Sequence, residues 1–318
     1  MKRIAGIWDL ARSGGSVGTL LILLEELEIQ RRIHRSDVSD VVIVGDAKYL
    51  LSGASPGRVD VGGRCISGVA RLGPLVTVIR AMSSVADCHI CSDEVAIRAA
   101  VKLIATNCVS WPDPETLIRG RHSYDSTRAI QDYFNRTGEI PRLSVSGTLM
   151  AWTKSYLKEK SGGRFPIAVH LKSNAAVSGQ SNANVDSWLT FISECQRQFE
   201  VHFVLVGDDP MSARFRDLPN VTIAQDDRLT LDRHLAVIQV AGLFMGMMSG
   251  PANMALFGKN PYLIFKNPDH HASEMALELG NNDHYPFALA HQRVLRMWDT
   301  TENLTAAFES AIRQVATK

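Results

Sequence analysis

Phe165-Pro166-Ile167-Ala168-Val169-His170-Leu171 is a short apolar run that ends in polar residues. Val185 to Phe199 follows as a helix. Val201-His202-Phe203-Val204-Leu205-Val206 is a second apolar run, closing on Gly207-Asp208-Asp209. Two strands apolar on both faces, joined through a helix, are what a parallel sheet covered on both sides demands. This unit sets the reading of the whole chain.

Toward the carboxyl end the alternation continues. Thr230 is placed to cap a helix running to about Val240, and Gly242 to Met245 reads as a strand. Pro251 to Phe257 is a short helix with proline at its first position and Gly258 just past its end. Tyr262-Leu263-Ile264-Phe265 is a further strand and Thr301 to Ala316 a terminal helix. Leu235 to Gly258 carries no charge and is long enough to cross a bilayer. Ser249-Gly250-Pro251, Gly242 and Gly246 break it, so it reads as helix end, buried strand, turn and short helix.

Toward the amino end the same grammar appears. Ile4 to Trp8 is a strand, Asp9 to Gly15 a loop, and Ser16 a cap for a helix with Val17, Leu20, Leu21, Leu24 and Leu27 at helical spacing. Val41-Val42-Ile43-Val44 before Gly45-Asp46 is a buried strand, and Ser52 to Gly63 a Gly-, Ser- and Pro-rich mobile loop. Val85 to Ile90 is a strand and Asp93 to Ala105 a helix. Lys158 to Arg164 has linker composition. The expected architecture is therefore α/β, two doubly wound Rossmann-like domains facing a cleft, residues 1–160 and 161–318, with the last helix free to pack back on the first domain.

Composition limits the function. The chain has 318 residues, 45% of them apolar, with 34 Lys+Arg against 33 Asp+Glu. A net charge of +1 disfavours a dedicated nucleic-acid binder or a polybasic membrane sensor. Any anion must be held by local groups. The odd count of five cysteines, with no signal-peptide pattern at the start, reads as reduced thiols in a cytoplasmic protein.

In open α/β sheets ligands bind beyond the carboxyl ends of the strands, and four segments lie there. Ser249-Gly250-Pro251-Ala252-Asn253 offers a hydroxyl, close backbone approach and a helix start suited to phosphate. An ordinary strand-to-helix turn would also explain it. His170-Leu171-Lys172-Ser173-Asn174 brings Lys172 out at the sheet edge, where it can neutralise a diphosphate or simply be a solvated loop charge. Ser13-Gly14-Gly15-Ser16 is glycine-rich but neither a dinucleotide fingerprint nor a Walker loop. Gly207-Asp208-Asp209 can serve sugar hydroxyls, though the turn chemistry of Gly and Asp suffices to explain it.

Cys88-His89-Ile90-Cys91, with Cys65 and Cys108 more distant, lacks the spacing of paired zinc knuckles and reads as buried strand thiols. Asp269-His270-His271 is explained as a polar loop without a metal. No D-x-D triplet is present, which weakens a metal-bridged diphosphate; no metal and no bound cofactor are expected.

Ile167-Ala168-Val169-His170-Leu171-Lys172, the Trp188 to Phe199 helix, Phe203-Val204-Leu205-Val206-Gly207, Leu218-Pro219-Asn220-Val221 and Thr230-Leu231 form a series in the second half. Phe244-Met245-Gly246-Met247-Met248-Ser249-Gly250-Pro251, Ala255 and the Gly258-Lys259-Asn260-Pro261 turn complete it. In this series, and more loosely in Ser13–Leu27 and Gly138-Glu139-Ile140-Pro141-Arg142-Leu143, the chain resembles GT-B glycosyltransferases of the heptosyltransferase-like and fucosyltransferase-like kinds.

That resemblance implies a nucleotide-diphosphate sugar as co-substrate, held by the second domain, and a glycan or lipid-linked hydroxyl acceptor on the first. It implies polysaccharide biosynthesis, with peripheral membrane contact left open and no nucleic acid. On it, His170, Lys172, Ser173, Gly207, Asp208, Ser249, Gly250, Pro251 and Asn253 form the donor side. Gly14, Gly15 and Ser16 form the acceptor-side loop. Two segments depart from the family: Met248 and Asn253 flank Ser249-Gly250-Pro251 where Asp and His are expected, and Gly15-Ser16 replaces Gly-Asp. The usual base is thus missing, and Asp9 is its nearest substitute. These departures keep two alternatives in view, a nucleotide-sugar epimerase or hydrolase on the same fold and a catalytically silent binding subunit.

Overall fold

The computed structural model describes residues 2–44, 72–91, 108–113, 116, 122–173 and 179–315. Gly45-Asp46, the Ser52–Gly63 loop, Cys65, the Asp93–Ala105 helix and Asn174 lie outside the described residues. The chain divides into two compact units, Met1–Ser146 and Gly147–Lys318. The Lys158–Arg164 run falls inside the second, as the end of the Gly147–Ser161 helix and the turn into the next strand.

The first unit holds β1 (Arg3–Asp9), β2 (Val38–Val44), β3 (Val85–Cys91) and β4 (Cys108–Trp111), ordered β3-β2-β1-β4. The second holds β5 (Phe165–His170), β6 (Val201–Leu205), β7 (Val221–Ile223), β8 (Leu243–Met247), β9 (Tyr262–Phe265) and β10 (Gln292–Leu295), ordered β10-β9-β8-β5-β6-β7. All the strand pairs in both sheets are parallel. From β5 the chain steps outward through β6 and β7, then returns to the other side of β5 with β8 and steps out again. That reversal is the doubly wound order, and its switch point lies between β5 and β8.

Burial explains the strands. β6 and β8 are buried along their whole length, as the unbroken apolar runs require. β5 and β8 come unusually close: a Cβ on Gly246 would lie 2.4 Å from the His170 carbonyl oxygen. The core of the unit is aromatic. Phe191 meets Phe203 and Phe308 edge-on at 5.9 and 5.5 Å, so the terminal Thr301–Val315 helix packs on the Val185–Gln198 helix. Asp299 is buried beneath them and accepts the Asn184 N–H at 2.7 Å and the Trp188 indole N–H at 2.8 Å. The Leu235–Gly258 stretch divides into helix (Leu231–Val240), strand and short helix (Ala252–Leu256). Among the described residues no helix is long and apolar enough to cross a membrane.

In the first unit Ser16 caps the Val17–Ile33 helix through its hydroxyl, accepting Thr19 N–H at 3.0 Å. This helix is buried from Thr19 to Ile29, three glutamates included. Glu28 is bound by Arg31, and Glu26 accepts from Trp111 Nε1 at 3.0 Å. Glu25 accepts the Arg142 N–H at 3.2 Å, while its other oxygen is buried without a partner. Burial pushes the Glu25 carboxyl up to about 8, so near neutral pH it is protonated.

Candidate functional site

Both sides of the switch point end in polar residues, and the sheet brings them together. His170 is the last residue of β5, and Ser249 lies two residues past β8. The His170 Nδ1 is 2.9 Å from Ser249 Oγ. His170 Nε2 is 3.5 Å from Asp209 Oδ2, and the imidazole is buried. The carboxylate favours the tautomer with its proton on Nε2, which leaves Nδ1 to accept the Ser249 hydroxyl.

The turn after β6 is built around this ring. Gly207 has φ of 107°, and a Cβ there would sit 2.4 Å from His170 Cδ2, so only glycine permits the stacking of turn on imidazole. Gly207 N–H donates to His234 Nδ1 at 3.0 Å. Gln225 Nε2 donates to the carbonyls of Gly207 and Asp209 at 2.7 and 2.8 Å. Held in this way, the turn aims Asp209 at the cluster. Asp208 is exposed, with Oδ1 3.9 Å from His234 Nδ1.

The charges support one another. Burial raises the Asp209 carboxyl, but His170, the Ser173 amide and Lys172 outweigh it and hold it below its ordinary range. Lys172, two residues past β5, is lowered by burial, with Asp209 opposing. Ser173 therefore contributes through its backbone N–H. Burial likewise lowers His234, whose Nδ1 is already an acceptor and whose Nε2 is buried without a partner.

Gly250 and Pro251 form the turn into the Ala252–Leu256 helix. Pro251 precedes that helix in αR conformation instead of opening it. Asn253 N–H bonds back to the Gly250 carbonyl at 3.2 Å. With five residues the helix carries little macrodipole.

Sequence reasoning missed two polar residues at this edge of the sheet. Asp209, not Asp208, faces His170, a choice set by the turn's tilt and carrying no signal in the residue types. Lys266 follows directly on β9, is buried, and places Nζ 2.6 Å from His270 Nδ1. Its signal was available: like Lys172, it is a lysine at the carboxyl edge of an apolar strand.

In the first unit Asp9 ends β1 half-buried. Gly14, at φ 65°, bonds N–H to the Leu10 carbonyl, and its own carbonyl accepts Trp8 Nε1 at 3.2 Å. Gly15 is buried and Ser16 spends its hydroxyl on capping. A polar group not expected from sequence joins Glu26 Oε2 to His122 Nε2 at 2.9 Å beside Trp111. Cys88 and Cys91 are buried in β3, and burial pushes the Cys88 thiol up to about 11. Among the described residues no group of three or more His, Cys, Asp or Glu could hold a metal ion.

No family model matches the sequence, and no curated protein matches it. Solved structures do match in fold. A glycosyl transferase family 9 protein from Veillonella parvula DSM 2008 is similar at a TM-score of 0.60 and 13% identity, covering 98% of this chain and 97% of that one. The E. coli ADP-heptose lps heptosyltransferase II is similar at 0.52 and 15%, covering 99% of both chains. The E. coli heptosyltransferase WaaC with ADP is similar at 0.53 and 13%, covering 98% and 99%. At such identities the likeness is one of fold, and it runs the length of the chain. The protein thus has the two-domain, Rossmann-like GT-B fold of these glycosyltransferases.

Proposed function

We propose that this chain is a glycosyltransferase that moves a sugar from a nucleotide-diphosphate donor to a hydroxyl acceptor without a metal. The observation that carries this reading is the Lys172–Asp209–His170–Ser249 cluster at the switch point of the six-stranded sheet. It stands in a chain whose fold is that of solved glycosyltransferases throughout.

The chemistry follows from charge. When the bond from the anomeric carbon to the diphosphate oxygen breaks, the leaving group gains negative charge. Lys172 supplies a cation there, and Ser249 with the Gly250 backbone supplies hydrogen-bonding groups fixed before reaction. Asp209 and His170 hold the serine in place. The acceptor hydroxyl must lose its proton as it attacks, and Asp9, at the carboxyl end of β1, is the residue assigned to take it. Two of the solved structures similar in fold carry ADP-heptose or ADP in their names, so ADP-linked sugars head the list of donors to test, heptoses among them.

The Asp209–His170–Ser249 string supports a second reading, hydrolysis of a nucleotide sugar. The long 3.5 Å reach from Asp209 favours an orienting role over an activated serine nucleophile. A mixture of nucleotide sugars with and without glycan acceptors separates the two. Sugar transfer only with acceptor supports the transferase, and equal donor loss without acceptor supports the hydrolase.

A further inference from the structure

We propose that Lys266 is a second cation for the donor's diphosphate, on the same carboxyl edge of the sheet as Lys172 and held ready by His270. The inference rests on the donor-site reading above and adds to it a residue, a partner for that residue and a proton dependence.

Lys266 leaves the sheet at the carboxyl end of β9, the strand beside β8, whose own end carries Ser249. Its backbone is anchored by the Lys266 N–H to the Leu295 carbonyl at 2.9 Å. The following turn is pinned by Asn267, which donates from Nδ2 to the Gln180 carbonyl at 2.9 Å and accepts the Asp269 N–H at 2.9 Å. The residue is only 6% exposed. A buried ammonium ordinarily sits on a carboxylate, because removing it from water unpaired is costly. Among the described residues neither Lys266 nor Lys172 forms an ion pair with a carboxylate; Glu274 and Asp209 act on them only at longer range. The near contact of Lys266 is instead the neutral acceptor His270 Nδ1 at 2.6 Å.

The groups facing Lys266 explain this arrangement only if an anion is to be added. Burial first and Lys172 repulsion second lower its amine to about 8, with exposed Glu274 opposing them. Burial also lowers His270 to about 4, with Lys266, His271 and Lys172 adding to the effect and Glu274 opposing. Near neutral pH His270 is therefore an uncharged acceptor and Lys266 is charged. Asp209 is engaged with His170 and the Ser173 amide. Two lysines that repel each other across the edge of one sheet gain from a ligand carrying two adjacent negative charges, and a diphosphate is such a ligand. A structural role as donor to His270 would account for the bond but not for a second lysine, Lys172, at the same carboxyl edge and near enough to repel it.

The test uses the full chain with inorganic pyrophosphate and ADP as probes, titrated calorimetrically at about pH 7 and about pH 9. Wild-type protein is expected to bind both and to weaken on raising the pH as Lys266 loses its charge. Lys266→Arg, which stays charged, is expected to keep its affinity across that interval. Lys266→Met is expected to bind pyrophosphate roughly tenfold more weakly, about the loss of one charge-assisted bond. A second readout is independent of any variant's folding. In reductively methylated wild-type protein the Lys266 resonance is expected to titrate at higher pH when pyrophosphate is present. Unchanged pyrophosphate affinity in Lys266→Met, or a Lys266 titration that pyrophosphate leaves in place, overturns the inference alone. A wild-type protein that binds neither pyrophosphate nor any nucleoside diphosphate overturns the proposed function along with it.

Discussion

His170 Nδ1 and Ser249 Oγ stand 2.9 Å apart, a bond that ties the carboxyl ends of β5 and β8 across the switch point of the second sheet. The bond gives the serine one orientation and leaves the imidazole's other nitrogen to Asp209. Ser249→Ala removes one hydrogen-bonding group from the site and strands Nδ1. Nucleoside diphosphate affinity is expected to fall roughly threefold to tenfold, the worth of one neutral bond. Ser249→Thr, which keeps the hydroxyl, is expected to recover most of it. Equilibrium binding of ADP to both variants is the check.

Gly207 is expected to tolerate no side chain. At φ 107° an alanine is strained, and its Cβ would lie 2.4 Å from Cδ2 and 2.6 Å from Nε2 of the buried His170 imidazole. Gly207→Ala should cost about 1–3 kcal/mol of stability in urea unfolding. It should also displace the imidazole, so that diphosphate binding weakens together with stability.

The same geometry shows what could be read from residues alone. The strands β5, β6 and β8 were legible because they are buried on both faces, so apolar runs bounded by Gly and Asp suffice to find them. The Ser16 cap and the breaks at Gly242 and Ser249-Gly250-Pro251 were legible because each has a local cause. Three short strands escaped. Cys108–Trp111, Val221–Ile223 and Gln292–Leu295 lie at sheet edges, where few residues are needed and the apolar pattern is weak. In the site, Lys172, His170 and Ser249 were readable from their place after strands. The choice of Asp209 over Asp208 depends on how Gln225 and His234 hold a turn, and those residues lie 16 and 27 positions along the chain from their partners. The buried glutamates of the Val17–Ile33 helix were unreadable for a related reason. A Leu-rich spacing implies one apolar face, whereas Trp111, His122, Arg31 and Arg142 bond to the acids on others.

Glu25 makes a pH prediction. Its carboxyl titrates at about 8 when folded and near 4.5 when unfolded, with burial the dominant cause. Between those values the unfolded chain has released a proton that the folded chain retains. Stability therefore falls as pH rises through this window, by about 1.4 kcal/mol per pH unit from this group. Glu25→Gln removes the dependence. Its gain over wild type in urea unfolding should grow steadily from about pH 5 to about pH 8. A constant difference between the two proteins would show that Glu25 is ionised in the fold.

Asp9 is expected to act on chemistry and not on donor affinity. Asp9→Asn should lower turnover about a hundredfold or more, the usual contribution of a general base. ADP binding should remain within about twofold of wild type, a change too small to reach one hydrogen bond. Turnover that survives in the variant would assign the base elsewhere and leave the donor site untouched.

The most direct measurement of the donor site is thermal unfolding of wild-type protein against a panel of nucleoside diphosphates and nucleotide sugars, repeated with Lys172→Ala. At least one diphosphate is expected to raise the melting temperature of wild type by several degrees, as saturating ligand contributes about 2.7 kcal/mol at a hundredfold excess over Kd. Lys172→Ala is expected to melt like unliganded wild type and to lose that response. If no nucleotide shifts wild type, or if Lys172→Ala responds as fully as wild type, the cluster at the β5–β8 switch point is not a diphosphate site.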